Sequence, residues 1–115
     1  MINNKFVNSA SGEQFATVNP SNGKEICQVS RASTADVDLA VAAAKHAFTQ
    51  GEWSTYNYEG RRDLINKIAD HLEKNMVEIA TIESTDNGKP FGMACYDVIG
   101  SVKTFRYMAG WADKI

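Results

Sequence analysis

Three short apolar runs rich in β-forming residues lie in residues 1–31, at Phe6-Val7, Phe15–Val18 and Ile26–Val29. Ser11-Gly12 separates the first two runs, and an Asn-Pro-Ser-Asn-Gly stretch at 19–23 separates the last two. Gly and Asn tolerate positive φ and Pro fixes φ near −65°, so these separators are typical of tight turns. The pattern predicts a small antiparallel strand region over residues 1–31.

The apolar spacing changes to a helical period after this region. Ser33, followed three residues later by Asp36, predicts a capping box that opens a helix over 34–49, and Gly51 is expected to end it. A second helix is predicted from Glu59 to about Asn75. Its inward face should carry Leu64, Ile65, Ile68, Ala69 and Leu72.

Two further helices complete the predicted helical region over 33–115. Asn75 is expected to cap a helix from Met76 to about Thr85, and another helix should run from Gly92 to the end of the chain. Residues 107–112 are apolar or aromatic and the final residue, Ile115, is apolar again, whereas domain ends are more often polar. We therefore expect the chain to stop inside a helix of a longer protein.

Composition and charge narrow the class of protein. A chain of 115 residues has room for one modest core, and its 43% hydrophobic and 23% charged residues are ordinary for a globular domain. The 12 basic and 14 acidic side chains are spread evenly, which argues against nucleic acid as a partner, and no apolar run is long enough to span a membrane. Only two cysteines are present, so reduced thiols and a cytoplasmic location are expected.

The candidate reactive side chains are few and isolated. His46 and His71 lie inside predicted helices without a motif partner and are expected at the surface or boundary. Cys27 lies in a strand-like run and should be buried and inert. Cys95 should pack at a boundary. Because it lies in the first turns of a helix, where the dipole lowers a thiol pKa, a reactive thiol is the alternative. No nucleotide-binding, serine-hydrolase or zinc motif is present.

The segment Glu83–Pro90 combines a helix end with several turn-forming residues. We expect a helix C-terminus closed by a turn. Asp86 is the unusual residue of this segment. A carboxylate in the last turn of a helix interacts unfavourably with the helix dipole unless a cation or hydrogen-bond donors lie beside it. A hard cation bound by this carboxylate and nearby backbone carbonyls would resolve the conflict.

Several blocks, in order and spacing, resemble the N-terminal part of the NAD(P)-dependent aldehyde dehydrogenase family. The resemblance is carried by Ile2-Asn3-Asn4-Lys5-Phe6, Thr17-Val18-Asn19-Pro20 with Gly23, Ile26–Val29, Asp36-Val37-Asp38, RRDLINKIAD at 61–70, IESTDNGKP at 82–90 and RYMAGWADK at 106–114. It implies an α/β, Rossmann-type fold when complete, with residues 1–115 as an incomplete N-terminal part of the cofactor-binding domain. It also implies a dimeric or tetrameric homo-oligomer that oxidises an aldehyde to a carboxylate.

The resemblance places no catalytic or NAD(P)-binding residue in this chain. The family's nucleophilic cysteine, glutamate base, oxyanion asparagine and glycine-rich turn lie in strings that do not occur here, so neither cysteine is assigned to catalysis. In relatives, residues matching Thr17 and Val18 supply carbonyls, and the residue matching Asp86 a carboxylate, to a structural sodium or potassium ion. Another ligand of that ion comes from beyond the present chain.

Three interpretations follow from the sequence. The first is an N-terminal fragment of an aldehyde dehydrogenase that neither binds NAD tightly nor oxidises aldehydes alone. The second is a non-catalytic interaction module whose apolar faces, Val37/Val41/Phe48 and Leu64/Ile68/Leu72, bind a partner or a full-length relative. The third is a small structural protein. The loosely matching stretch 91–100 leaves the aldehyde substrate open.

Overall fold

The computed structural model describes residues 1–114 and contains one two-stranded antiparallel sheet and five helices in that part of the chain. The predicted order, a strand region followed by four long helices, is confirmed, and a one-turn helix is added. The elements in chain order are β1 Gln14–Val18, β2 Glu25–Ser30, α1 Thr34–Gln50, α2 Glu52–Thr55, α3 Tyr58–Lys74, α4 Met76–Asn87 and α5 Phe91–Ala109.

The chain divides into two compact units. The first consists of Met1–Thr17 and Glu25–Tyr56 and holds most of the sheet with α1 and α2. The second consists of Val18–Lys24 and the chain from Asn57 onward, and it holds α3, α4 and α5.

The predicted strand at Phe6-Val7 is wrong. The chain instead reverses at Asn3 and Asn4, with φ of 49° and 58°, so that Ile2 and Lys5 exchange two backbone hydrogen bonds of 3.0 Å. Phe6 and Val7 have no ladder partner within the described residues, and Phe6 is 95% exposed. A run of two β-forming residues is too short to specify a strand when no neighbouring strand pairs with it.

Helix α1 opens with the predicted capping box. The Ser33 hydroxyl accepts from the Asp36 backbone N–H at 3.3 Å, and the Asp36 carboxylate accepts from the Ser33 backbone N–H at 2.8 Å. The same carboxylate also accepts from the Ser9 hydroxyl and the Ala10 backbone N–H, each at 3.1 Å. These hydrogen bonds, from Ser33 first and then Ala10 and Ser9, lower the pKa of Asp36 to about 2. Asp36 therefore stays ionised and ties the N-terminal arm to the start of α1.

The end of α1 is also at the predicted residue. Gly51 closes α1 by donating its N–H to the His46 carbonyl oxygen, as expected for the residue after the last turn. The one-turn helix α2 then starts immediately and was not predicted, because four residues are too few for periodicity to reveal. Within α2 and just after it, Trp53 and Tyr56 stack with ring centroids 5.9 Å apart.

Helix α5 is the centre of the second unit and packs against both α3 and α4. Every buried hydrophobic residue in the described chain is small, and all of them lie in this unit: Ala69, Ala80, Ala94, Val98, Val102 and Ala109. Small side chains let helix axes approach closely, so burial here comes from backbone proximity rather than from large apolar groups.

The predicted inward face of α3 is only partly confirmed. Ala69 is fully buried and Ile65 and Leu72 are half-buried, but Leu64 and Ile68 remain 42% and 41% exposed. Periodicity identifies an apolar face, but it does not report whether a neighbour covers the whole face.

Two helix ends differ from their predictions. Asn75 does not cap α4 with its side chain; its amide donates instead to the His71 carbonyl of α3, at 2.8 Å. Helix α5 does not continue to the chain end, because it stops at Ala109 and residues 110–114 form turns. Gly110 has low helix propensity, and bonds of the shorter turn type, such as Trp111 N–H to the Met108 carbonyl at 3.0 Å, replace the helical pattern.

Two cations bridge pairs of carboxylates around α5. Arg106 contacts Asp70 at 3.0 Å and Glu73 at 2.6 Å, which joins α5 to α3. Lys89 contacts Asp97 at 2.5 Å and Glu83 at 2.7 Å, and these bonds, Asp97 first, raise the pKa of Lys89. The carboxylates are 44–67% exposed, so these ion pairs contribute little to the free energy of unfolding. None of the helices within residues 1–114 combines the length and hydropathy required to cross a bilayer.

Candidate functional site

The residues proposed for cation binding lie in two places in the fold. Thr17 and Val18 form the end of β1, with Thr17 in the first unit and Val18 in the second, and Asp86 lies in the last turn of α4 in the second unit. The Thr17 hydroxyl donates to the Cys27 carbonyl of the neighbouring strand β2 at 3.4 Å. Its backbone carbonyl, rather than its hydroxyl, is therefore the group to consider as a ligand.

Within the second unit, the loop that follows Val18 packs against the end of α4. Gly88 has φ of 80°, and a Cβ built on it would lie 2.8 Å from Pro20 Cγ. The loop is itself well defined, since the Gly23 N–H donates to the Asn19 carbonyl at 2.8 Å. The structure thus brings the segment immediately after Val18 close to the residue two positions after Asp86.

Asp86 is exposed at a helix C-terminus that closes as predicted. Gly88 adopts the left-handed conformation and donates its N–H to the Ser84 carbonyl at 3.0 Å, so the interpretation of Glu83–Pro90 as a helix end followed by a turn is confirmed. The nearest cation along the chain, Lys89, is engaged by Glu83 and Asp97. Among residues 1–114, no ion pair joins Asp86 to a basic side chain, which leaves its carboxylate opposed to the helix dipole.

Asp86 offers one carboxylate to a cation. In the described part of the chain no group of three or more His, Cys, Asp or Glu side chains could hold a metal ion. A cation at this place would therefore rest on a single carboxylate and on carbonyl oxygens, which are the ligands that hard cations prefer.

The cysteines and histidines take separate positions in the fold. Cys27 is exposed on β2, so its predicted burial is wrong; a sheet of two strands leaves both faces of β2 uncovered in the described chain. Cys95 is half-buried against Ala80, Ala94 and Val98, as the boundary interpretation requires. His46 and His71 are exposed, as predicted. None of these four side chains forms a nucleophile–base pair within residues 1–114.

Two cavities of the described chain contain carboxylates that are already engaged. A shallow cavity of about 220 Å³ in the first unit includes Asp36, whose carboxylate accepts from four hydrogen-bond donor groups. A second, of about 400 Å³, lies beside α5, and its carboxylate, that of Glu73, is paired with Arg106 at 2.6 Å. A carboxylate held in an ion pair is a poor general base.

The described residues also do not fit a dinucleotide. Such cofactors bind at the carboxyl ends of parallel strands, with the pyrophosphate on a glycine-rich turn at a helix N-terminus. Residues 1–114 contain one antiparallel pair of strands and no glycine-rich strand-to-helix turn. Cofactor binding would require strands outside this part of the chain.

Comparison with known proteins agrees with the resemblance described above. The model of the aldehyde dehydrogenase family matches residues 6–115. Mitochondrial 10-formyltetrahydrofolate dehydrogenase of Mus musculus is 54% identical over 115 residues, which cover 99% of this chain and 12% of that protein. Retinal dehydrogenase 2 of Homo sapiens is 47% identical over 116 residues, covering 99% of this chain and 22% of that protein.

The same family appears among solved structures. The NAD+ complex of aldehyde dehydrogenase from Bacillus cereus superimposes with a TM-score of 0.95 at 40% identity, covering 99% of this chain and 23% of that one. The present chain therefore spans between about an eighth and a quarter of the length of these relatives. Because the family model covers nearly every residue and the backbone matches throughout, the chain belongs to the aldehyde dehydrogenase family.

Proposed function

We propose that residues 1–115 form the N-terminal part of the cofactor-binding domain of an NAD(P)-dependent aldehyde dehydrogenase, an enzyme that oxidises an aldehyde to a carboxylate. The observation that carries this proposal is the backbone agreement with the Bacillus cereus enzyme, at a TM-score of 0.95 over 99% of this chain. The division into a strand region over 1–31 and a helical region over 33–115 belongs to the same proposal, as do a homo-oligomeric parent and a cytoplasmic location.

The chain by itself is proposed to be inactive. Its cysteines and histidines form no nucleophile–base pair within the described residues, and its two antiparallel strands provide no dinucleotide site. The nucleophile, the base and the nucleotide-binding turn would be supplied by the remaining three-quarters of a family-length polypeptide. The role of this segment is then to pack against that remainder and support its fold.

The first prediction is that the purified chain does not bind NAD. Isothermal titration of NAD into the chain is expected to give no saturable heat, whereas the Bacillus cereus enzyme, studied as an NAD+ complex, serves as the positive control. Saturable binding of NAD in the micromolar range would contradict the proposal that the NAD site lies outside this chain.

A chimaera tests whether the chain can serve as this part of an active enzyme. The corresponding segment of the Bacillus cereus enzyme is replaced by this chain, and aldehyde-dependent NADH formation is expected to persist. A chimaera that folds as the parent oligomer and binds NAD, but whose aldehyde oxidation has been lost, would overturn the proposed function.

A structural sodium or potassium ion is the second element of the proposal. We infer that, in the intact protein, the backbone carbonyls of Thr17 and Val18 and the carboxylate of Asp86 bind it, with a further ligand from outside the present chain. Support comes from the unpaired charge of Asp86 and from the contact between the loop after Val18 and Gly88.

The Asp86→Ala exchange in the full-length parent or the chimaera tests this ion. The unsubstituted protein is expected to melt at a higher temperature in potassium chloride than in tetramethylammonium chloride at equal ionic strength. Asp86→Ala should lower the melting temperature and remove that difference. A salt-specific difference that survives the substitution would count against the site, and Asp38→Ala, on the exposed surface of α1, is the matched control.

The interaction-module alternative also has an observation in its favour. Val37, Val41 and Phe48 on α1 are 51%, 61% and 71% exposed, so an apolar stripe is available to a partner. The chimaera distinguishes the two functions, since an isolated module would not restore aldehyde oxidation when it replaces a segment of the enzyme.

A further inference from the structure

The tripeptide Asn-Gly-Lys occurs twice in the chain, at 22–24 and at 87–89, with nearly the same local geometry. Both glycines are left-handed, with φ of 70° and 80°. Each glycine N–H donates to the carbonyl four residues earlier, that of Asn19 at 2.8 Å and that of Ser84 at 3.0 Å. In both copies the asparagine side-chain oxygen accepts from the lysine backbone N–H at 2.9 Å. The chain thus contains a matched pair of sites that differ only in their surroundings.

The surroundings of the second copy restrain it. Asn87 is the last residue of α4, and its side-chain amide donates to the Glu83 carboxylate at 2.6 Å. Gly88 lies against Pro20, whose Cγ would be 2.8 Å from an added Cβ. Movement of the Asn87–Gly88 peptide would break the end of the helix and the bond to Glu83, and it would disturb this contact.

The first copy has none of these restraints. Asn22 is exposed in the loop between β1 and β2, and within residues 1–114 its amide nitrogen has no acceptor. A Cβ built on Gly23 would meet no atom within 4 Å. The Asn22–Gly23 peptide can therefore rotate at the expense of turn hydrogen bonds alone.

An Asn-Gly pair can undergo a reaction that needs only water. The glycine backbone nitrogen loses its proton and attacks the asparagine side-chain carbonyl carbon, forming a C–N bond while the amide nitrogen leaves as ammonia. Water then opens the resulting succinimide at one of its two carbonyls and yields aspartate or isoaspartate. The net change is asparagine plus water to an acid plus ammonia, and nothing is oxidised or reduced. Glycine favours the attack because it has no side chain to obstruct it.

We propose that Asn22 is a site of spontaneous deamidation in this protein and that the fold protects Asn87 from the same reaction. Conversion of Asn22 adds one negative charge to a chain whose formal net charge is −2. In the isoaspartate product, the backbone of the loop gains a methylene group, and the side-chain hydrogen bond to the Lys24 N–H is lost. The modification therefore falls in the turn that connects the two strands.

The test compares the two copies in one molecule. The chain is incubated at mildly alkaline pH, and tryptic peptides containing Asn22 and Asn87 are quantified over time by mass spectrometry with separation of isoaspartate. Asn22 is expected to convert roughly tenfold faster than Asn87, the factor that corresponds to one hydrogen bond to a charged group. In concentrated denaturant the two rates should converge, because the tripeptides are identical.

Two variants complete the design. Asn22→Gln should abolish conversion at the first site and leave the second unchanged, since the longer side chain disfavours ring closure. Glu83→Ala releases the Asn87 amide and should accelerate conversion there without changing the rate at Asn22. Equal rates at the two sites in native buffer, or faster conversion at Asn87, would overturn the proposal.

Discussion

Replacing Ala94 by aspartate is expected to lower the free energy of unfolding by about 3–5 kcal/mol, the loss associated with an uncompensated buried charge. Ala94 is fully buried in α5, where it packs with Ala80 of α4 and with Val98. The side chains packed around it there, Ala80 and Val98, carry neither a cation nor a hydrogen-bond donor. Urea unfolding followed by far-UV circular dichroism measures the loss.

The effect of Ala94→Asp should depend on pH. Burial raises the pKa of the introduced carboxyl above that in the unfolded chain, so the penalty grows as pH rises through the unfolded value. Below pH about 4 the acid is neutral in both states and most of the charge penalty disappears.

The adjacent residue provides the control for Ala94→Asp. Met93 lies one position earlier in the same turn and is 55% exposed. Both positions are near the N-terminus of α5, where a carboxylate interacts favourably with the helix dipole. Met93→Asp should therefore be nearly neutral. Comparable losses for the two substitutions would show that the α4–α5 contact does not exclude water.

Gly88→Ala is expected to destabilise the chain by about 2–5 kcal/mol, the sum of a left-handed backbone cost and an overpacking cost. The residue has φ of 80°, a conformation that a Cβ makes unfavourable, and that Cβ would meet Pro20 Cγ at 2.8 Å. The substitution also disturbs the contact next to Asp86. Urea unfolding monitored by circular dichroism again gives the difference.

Gly23→Ala separates the two causes. Gly23 has φ of 70°, but no atom lies within 4 Å of its built Cβ. Its substitution should incur only the backbone cost of about 1–2 kcal/mol. If Gly23→Ala and Gly88→Ala destabilise equally, the Pro20 loop yields without penalty and is not firmly packed on α4.

The elements that local chemistry specifies were predicted from the sequence. Ser33 and Asp36 fixed the start of α1, and the turn-forming residues around Gly88 fixed the end of α4, because caps and turns depend on neighbours within a few positions. The predicted end of α4 at Thr85 was two residues early, since Asp86 and Asn87 remain helical although they have modest helix propensity.

The errors concern long-range surroundings. Cys27 was expected to be buried because its run is apolar, but burial requires a neighbouring layer that the described chain does not place over β2. Leu64 and Ile68 of α3 were also expected to be buried, and they are exposed because no other element of the described chain covers them. The contact between Pro20 and Gly88 was not predicted either. A glycine after a helix indicates a left-handed backbone conformation, but it does not indicate which distant residue packs against it.

The candidate site could be predicted only in part. The position of Asp86 in the last turn of a helix opposes the helix dipole, and this conflict is visible in the local sequence. The proposed roles of Thr17 and Val18 rest on the family resemblance alone, because side-chain types do not indicate which backbone carbonyls bind an ion. For Asp36, the capping interaction with Ser33 was predicted because the two residues are close in sequence. The hydrogen bonds from Ser9 and Ala10 were not predicted, because these donors lie more than 25 positions away.

The small interior of the second unit has a consequence for protein engineering. All of its fully buried hydrophobic residues are alanine or valine, whereas Ile82 and Tyr96 are 62% and 71% exposed. Polar residues at these two positions would leave the buried contacts of the three helices in place. The surface of the segment can thus be made more polar without changing its interior.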